Sequence, residues 1–303
     1  MTQSLLKRVY RLFLRWFYRP FVGPPFPVAF QRTFVRFMLK TSPGAGGVET
    51  SPLRSSQIPM LRVSRGRDDP ESRPALLWVH GGGFVLGSAS GHSGLGGHIA
   101  AACEGDVYLP DYRLAPEHPF PAAVDDSFSA YRAMLARGHD PARVAIGGDS
   151  AGAAIAILAA IAIQEMDVPA PAALVLVSPA TDLSLSGASI STRAGQEAVL
   201  RREWLQFGYR SFAGPLALTD PRVSPLYADL AGLPPTLLQV GEREILLDDS
   251  LRWADRAWAA GVEVELQRFP GMWHDFQIQA GLFEDSARAV GDIGAFLRRR
   301  WGS

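Results

Sequence analysis

Arg143-Val144-Ala145-Ile146-Gly147-Gly148-Asp149-Ser150-Ala151-Gly152 is the stretch that decides the fold. Val144-Ala145-Ile146 is an apolar, β-branched run of the kind that forms a buried strand. Ala153-Ala154-Ile155-Ala156-Ile157-Leu158 follows Gly152 without a breaker and predicts a helix. Gly148-Asp149-Ser150-Ala151-Gly152 is therefore a G-x-S-x-G pattern in the strand-turn-helix setting of a nucleophile elbow. The two glycines have a steric reason: a side chain at Gly148 or Gly152 would collide with the adjoining strand and helix, while Ser150 is held in a strained turn that presents its Oγ at the sheet edge, near a helix N-terminus. A bare Gly/Ser turn joining strand to helix would show the same five letters, so the rest of the chain has to supply the remaining parts of a hydrolytic site.

The totals set bounds. A chain of 303 residues, 47% of them hydrophobic, builds one large α/β domain or two small ones without staples. Thirty Lys+Arg balance thirty Asp+Glu, so no global charge argues for nucleic acid. Cys103 is the single cysteine, which excludes an intrachain disulfide, and its Ala-Ala-Cys setting makes it a packing residue. No zinc spacing, Walker motif or dinucleotide fingerprint is present, so the expectation is chemistry without a metal or cofactor.

Residues 1 to about 40 carry Lys7, Arg8, Arg11, Arg15, Arg19, Arg32, Arg36 and Lys40, with no acidic residue before Glu49. Leu5, Leu6, Val9, Leu12, Phe13, Trp16 and Phe17 recur at helical spacing, predicting a basic amphipathic helix broken at Pro20 and at Pro24-Pro25. It has too many arginines for a transmembrane span and no signal-peptide core or cleavage site, which places the expected location in the cytoplasm. Two roles fit the pattern: a lid helix whose apolar face covers an active site, or a helix lying on an anionic membrane, giving weak surface contact through residues 1–40. The lid is preferred because Val28 to Leu39 supplies a second helix.

Gly44 to Ser56 has the composition of a connector, and a strand is expected from Ile58 to Val63. A polar turn from Arg65 to Arg73 leads to the strand Ala75–Val79, which ends in His80-Gly81-Gly82-Gly83-Phe84. Three glycines after a buried strand expose backbone N–H groups that no side chain shields, as a developing oxyanion requires. The strand Val107–Leu109 then runs into Asp111-Tyr112-Arg113-Leu114-Ala115-Pro116-Glu117, followed by a helix from Ala122 to Leu135. Later come the strand Ala173–Val177, an aromatic segment from 180 to about 225 with Trp204, Phe207, Tyr209 and Phe212, and the strand Pro235–Gly241. Val262 to Phe269 alternates as an edge strand, and Pro270-Gly271-Met272-Trp273-His274 turns out of it before a closing helix to Arg300.

His80-Gly81-Gly82-Gly83, the Tyr112 to Glu117 box and Gly148 to Gly152 together resemble the hormone-sensitive-lipase-like carboxylesterases of the α/β-hydrolase fold, over roughly residue 58 to the C-terminus. The resemblance implies a mostly parallel sheet flanked by helices, with a helical cap at 1–50, a catalytic domain at 51–179 and 226–303, and a cap insertion at 180–225. It implies a serine carboxylesterase for short- to medium-chain acyl esters, working through an acyl-enzyme. Ser150 is its nucleophile, His274 its base, and the backbone N–H groups of Gly82, Gly83 and Ala151 its oxyanion hole. The family's acidic box, laid on Glu242 to Asp249 without gaps, puts the triad acid on Glu244, a departure from the usual Asp, with Asp248 as the competing choice. Glu242 and Asp249 are expected to be solvated or capping, Asp111 and Arg113 to support the oxyanion loop, and His80 to hold that loop by hydrogen bonds. The small-molecule partner is an ester, and pairing of the Val262–Phe269 edge would make a homodimer. Two other uses of the same framework stay open: a ligand-binding protein like the plant gibberellin receptors, which have lost the histidine that this chain keeps, and an amidase or lactonase with the same triad.

Overall fold

The computed structural model describes residues 3–53, 58–66 and 73–302. The helices are α1 (Gln3–Phe13), α2 (Val28–Lys40), α3 (Ala89–Cys103), α4 (Ala122–Ala136), α5 (Ala151–Glu165), α6 (Ser189–Thr192), α7 (Arg202–Ala213), α8 (Leu247–Ala259) and α9 (Glu284–Trp301). The strands are β1 (Glu49–Leu53), β2 (Met60–Ser64), β3 (Ala75–Val79), β4 (Asp106–Pro110), β5 (Val144–Asp149), β6 (Ala173–Val177), β7 (Thr236–Gly241) and β8 (Val264–Phe269). They form one sheet in the order β1-β2-β4-β3-β5-β6-β7-β8, antiparallel across β1-β2-β4 and parallel from β4 onward.

The central strands are buried on both faces, which is why they are apolar runs and not alternating ones. Leu76 and Trp78 of β3 point to the layer holding Leu95, Ile99 and Cys103 of α3 and Ile293, Phe296 and Leu297 of α9. Leu77 and Val79 point to the other layer, with α4, α5 and α8. Burial pushes the Cys103 thiol up to about 12, so it packs as a small apolar group. Beyond the sheet ends, α1, α2 and α7 lie over the carboxyl edge of the parallel strands, where α/β folds bind their ligands. Among the described residues no helix is long and apolar enough to cross a membrane.

Several expectations change in detail. The connector from Gly44 contains β1, paired with β2 from Glu49↔Ser64 to Leu53↔Met60; its Ser, Thr and Pro content hides a solvent-facing edge strand. Residues 54–56 of that connector, and residues 67–72 of the Arg65 to Arg73 turn, lie outside the described residues. β8 is an edge strand as expected, but Val264 to Gln267 are half-buried without alternation, and Arg299 of α9 pairs with Glu265.

The N-terminal helix departs most. It runs on through a π-helical turn, Leu14–Tyr18, and packs inward through Leu6, Tyr10, Leu14 and Tyr18. Of the seven apolar residues that predicted a covering face, only Leu6 lies on that inner side; Leu5, Val9, Leu12, Phe13, Trp16 and Phe17 are exposed. Spacing shows that a stripe exists, but both faces of this helix are apolar, and only the packing partners Trp273 and Phe283 reveal which one is covered.

α3 follows the glycine loop and α9 follows the histidine loop, so their packing keeps the two loops at one end of the sheet. At the crossing, a methyl on Gly294 would lie 2.3 Å from the Ala102 carbonyl oxygen, whereas Gly291 on the same helix has nothing within 4 Å. Gly294→Ala is therefore expected to lower unfolding stability by roughly 1–3 kcal/mol, and Gly291→Ala to be neutral or stabilising by up to about 1 kcal/mol. Denaturant midpoints of the two variants check this; equal midpoints would mean that the helices can separate without cost.

Candidate active site

The elbow is built as the sequence steric argument requires. A Cβ on Gly148 would sit 2.5 Å from the Val79 carbonyl oxygen, and one on Gly152 would sit 2.0 Å from the same atom. Ser150 stands between strand and helix at φ 53°, ψ −119°, a conformation costing a non-glycine residue about 1–3 kcal/mol. Its N–H is held by the Val177 carbonyl, and its carbonyl receives the N–H of Ala180, so the strain is clamped from β6.

His274 Nε2 lies 2.9 Å from Ser150 Oγ, and His274 Nδ1 lies 2.6 Å from Glu244 Oε2. Glu244 is fully buried, and its other oxygen accepts from Ser178 Oγ at 2.9 Å and Gly241 N–H at 2.7 Å. Asp248 is turned away: it accepts from Ser189 N–H, and its own N–H donates to Ser189 Oγ. The loop thus brings Glu244 and not Asp248 to the imidazole. Asp249, expected to be solvated or capping, is buried and accepts the N–H groups of Thr181 and Asp182, while Glu242 pairs with Arg268.

The N–H groups of Gly82, Gly83 and Ala151 donate to no acceptor among the described residues. Gly83 has φ +59°, and a Cβ there would meet the Trp204 ring at 2.5 Å, so the indole closes against bare backbone. The loop is held at the elbow by Asp149, whose Oδ2 accepts Gly81 N–H at 3.0 Å and whose Oδ1 accepts Trp78 Nε1–H at 2.9 Å. His92 faces the Ser88 carbonyl through Nδ1 and the Asp149 carboxylate through Nε2, acceptors both, so its ring carries two protons. Burial opposes that charge, but the carboxylate outweighs it and holds the His92 pKa above the ordinary value. His80 is the reverse case: burial lowers it to about 3, and its neutral ring donates Nδ1–H to the Gly81 carbonyl while stacking on Tyr112.

Tyr112 ties the loop through its hydroxyl, which donates to the His80 carbonyl at 2.8 Å. Asp111 accepts Ala89 N–H where the loop enters α3, but Arg113 points away from the loop and binds Asp126 of α4, so its supporting role is corrected. Arg32 of α2 does that work, donating to the carbonyls of Val85 and Ala115 and pairing with Glu117. Of the four aromatic residues singled out in the 180–225 segment, Trp204 lines the cleft, while Tyr209 and Phe212 pack on Phe84 beneath it.

Sequence reasoning missed Asp275. Its Oδ2 lies 3.0 Å from His274 Nε2, on the nitrogen that faces Ser150, and its side chain is 13% exposed. The same ring nitrogen therefore faces both the Ser150 hydroxyl and a carboxylate, which favours the protonated ring. Burial, with Asp149 and Glu244 nearby, raises Asp275 to about 7. For His274 burial works downward, but Asp275 and Glu244 together hold its pKa well above the ordinary value. The only signal in the sequence was adjacency to His274. Glu197 was also missed: buried in the 180–225 segment, it accepts the N–H groups of Val199, Leu200 and Ile245 and so joins that segment to the Glu244 loop.

The cleft above Ser150 is half open to solvent and is lined by Tyr18, Val22, Val35, Leu39, Leu200 and Trp204 among others. A second pocket adjoins it, sharing Tyr18, Leu39, Val199, His274, Asp275 and Ile278 and extending to Tyr10, Leu14 and Trp273. A buried serine-imidazole-carboxylate relay at the floor of an apolar cleft, beside free N–H donors, can carry out nucleophilic acyl transfer.

Comparison with known proteins agrees with this geometry. Residues 76–278 match a family described as alpha/beta hydrolase fold. An esterase of Acinetobacter venetianus is 38% identical over 248 residues, 82% of this chain and 82% of its own length. The ethyl acetate hydrolase of Pseudomonas putida is 36% identical over 237 residues, 76% of this chain and 74% of its own. A crystal structure of an esterase from the bacterial hormone-sensitive lipase family superposes with a TM-score of 0.93 at 36% identity, covering 100% of both chains.

Removing the Asp275 charge is expected to weaken proton binding at His274. In Asp275→Asn, NMR titration of the His274 ring should give a lower pKa than in the parent. An unchanged titration would mean that the carboxylate does not act on the imidazole.

Proposed function

The chain belongs to the hormone-sensitive-lipase-like family of α/β-hydrolase esterases, and from that premise we propose that it hydrolyses short- to medium-chain acyl esters through a Ser150-His274-Glu244 triad. The observation that carries the proposal is the continuous relay from Ser150 Oγ through both ring nitrogens to Glu244, at the floor of the apolar cleft.

Ser150 Oγ attacks the ester carbonyl carbon as His274 Nε2 takes its proton. Glu244 accepts Nδ1–H, which fixes the tautomer and stabilises the imidazolium. Charge developing on the carbonyl oxygen meets the N–H groups of Gly82, Gly83 and Ala151, each such donor being worth on the order of 3 kcal/mol. Collapse of the tetrahedral intermediate breaks the bond to the alcohol, which leaves with the proton from Nε2. Water, deprotonated by the same nitrogen, then attacks the acyl-serine and releases the acid. Asp275 and Glu244 favour the protonated imidazole, and Nε2 can receive the serine proton only when the ring is neutral. The rate is therefore expected to fall as pH drops through the pKa of that ring.

Residues 1–50 and 180–225 act as the cap in this reading, since Tyr18, Val22 and Leu39 from the first and Leu200 and Trp204 from the second wall the cleft. The outer edge of β8 would pair with a second copy in a homodimer, and the expected setting is the cytoplasm.

Hydrolysis of a p-nitrophenyl ester series from acetyl to palmitoyl tests the reading. Turnover should peak at short or medium chains and disappear in Ser150→Ala. Glu244→Gln should lose roughly 10³–10⁴-fold in kcat, while Asp248→Asn stays within a few fold of the parent. Full activity in Glu244→Gln would reassign the acid, and burst activity in Ser150→Ala would remove the serine from the mechanism.

A further inference from the structure

Among the described residues nothing covers the outer side of the N-terminal segment. Twelve large apolar side chains are exposed among the described residues, and nine of them lie between Leu5 and Phe37. On α1 and its π-helical extension they are Leu5, Val9, Leu12, Phe13, Trp16 and Phe17, positions that recur on one side of the helix. Trp16 is 67% exposed and Phe17 64%, with Phe17 stacked on Phe13. On α2, Phe30 and Phe37 are exposed in the same way. A helix that served only as a lid would keep its rings for the cleft, and this one already has an inner face for that, Tyr10, Leu14 and Tyr18.

The charges divide along the same line. Lys7 binds Asp285, Arg15 the Gly195 carbonyl, and Arg32 Glu117, so these cations fasten the segment to the body. Arg8, Arg36 and Lys40 are exposed and have no ion pair among the described residues. The segment contains no carboxylate before Glu49 to neutralise them. In a protein with no net charge, this is a local basic, aromatic face.

We propose that this face docks on an anionic lipid surface, its aromatic and aliphatic side chains entering the headgroup layer while the three free cations neutralise lipid phosphates. A second copy of the chain fits less well: two such faces brought together would bury unpaired cations against each other with no acid between them. Docking would also set the helix whose inner residues wall the cleft beside His274 directly against the lipid.

The test uses the full-length protein and extruded vesicles, one set of phosphatidylcholine alone and one containing phosphatidylglycerol. Co-sedimentation at low salt should occur with the second set, fall steeply as salt is added, and weaken by about fivefold for each of Arg8→Gln, Arg36→Gln and Lys40→Gln. Trp16→Ser combined with Phe17→Ser should weaken binding at least about tenfold. The same variants should hydrolyse a soluble p-nitrophenyl ester at the parental rate, which shows that the fold is intact. No binding to phosphatidylglycerol vesicles at low salt overturns the proposal, as does binding that the aromatic double variant leaves unchanged. A dimer seen by sedimentation velocity and dissolved by that double variant would assign the face to a second copy instead. Because the vesicle readout needs no turnover, failure of the esterase reading leaves this test standing.

Discussion

The carboxylate of Asp149 joins two loops that the chain makes 60 to 70 residues apart. One oxygen takes the indole N–H of Trp78, at the end of β3, and the other takes the N–H of Gly81 and faces the doubly protonated His92 of α3. A buried carboxylate is costly unless paired, and these three donors supply the pairing. Because Asp149 immediately precedes Ser150, the same contact fixes Ser150 against the glycine loop, whose Gly82 and Gly83 N–H groups have no acceptor among the described residues. His80, Tyr112, Asp111 and Arg32 then hold that loop from its remaining sides.

The second constraint is the pair of carboxylates around His274. Glu244 on Nδ1 orients the ring, and its own second oxygen is saturated by Ser178 and Gly241, so it has no freedom to leave. Asp275 stands on the other side, 3.0 Å from Nε2, the nitrogen that also faces Ser150.

The N-terminal segment belongs to the site and to the surface at once. Its inner residues pack on Trp273 and Phe283, next to the histidine, and wall the cleft; its outer residues face away with their rings and cations uncovered. An apolar stripe in a sequence cannot say which side is inside when both sides are apolar, since inward and outward residues obey the same spacing.

By itself the sequence determined the strand-turn-helix at Ser150, the three glycines after β3, the run of buried parallel strands and the order of serine, acid and histidine, because each is a local pattern whose physics is complete within a few residues. Only the tertiary structure decided what depends on distant segments meeting. It put Glu244 and not Asp248 on the imidazole, since a loop's path, and not its spacing, aims a carboxylate. It set Asp275 against the reactive nitrogen and sent Arg113 to α4, because the direction of a side chain at an adjacent residue follows from backbone angles that the packing imposes. It also paired β1 with β2, in a stretch whose composition alone is that of a connector: an edge strand draws its stability from its neighbour's hydrogen bonds more than from its own side chains.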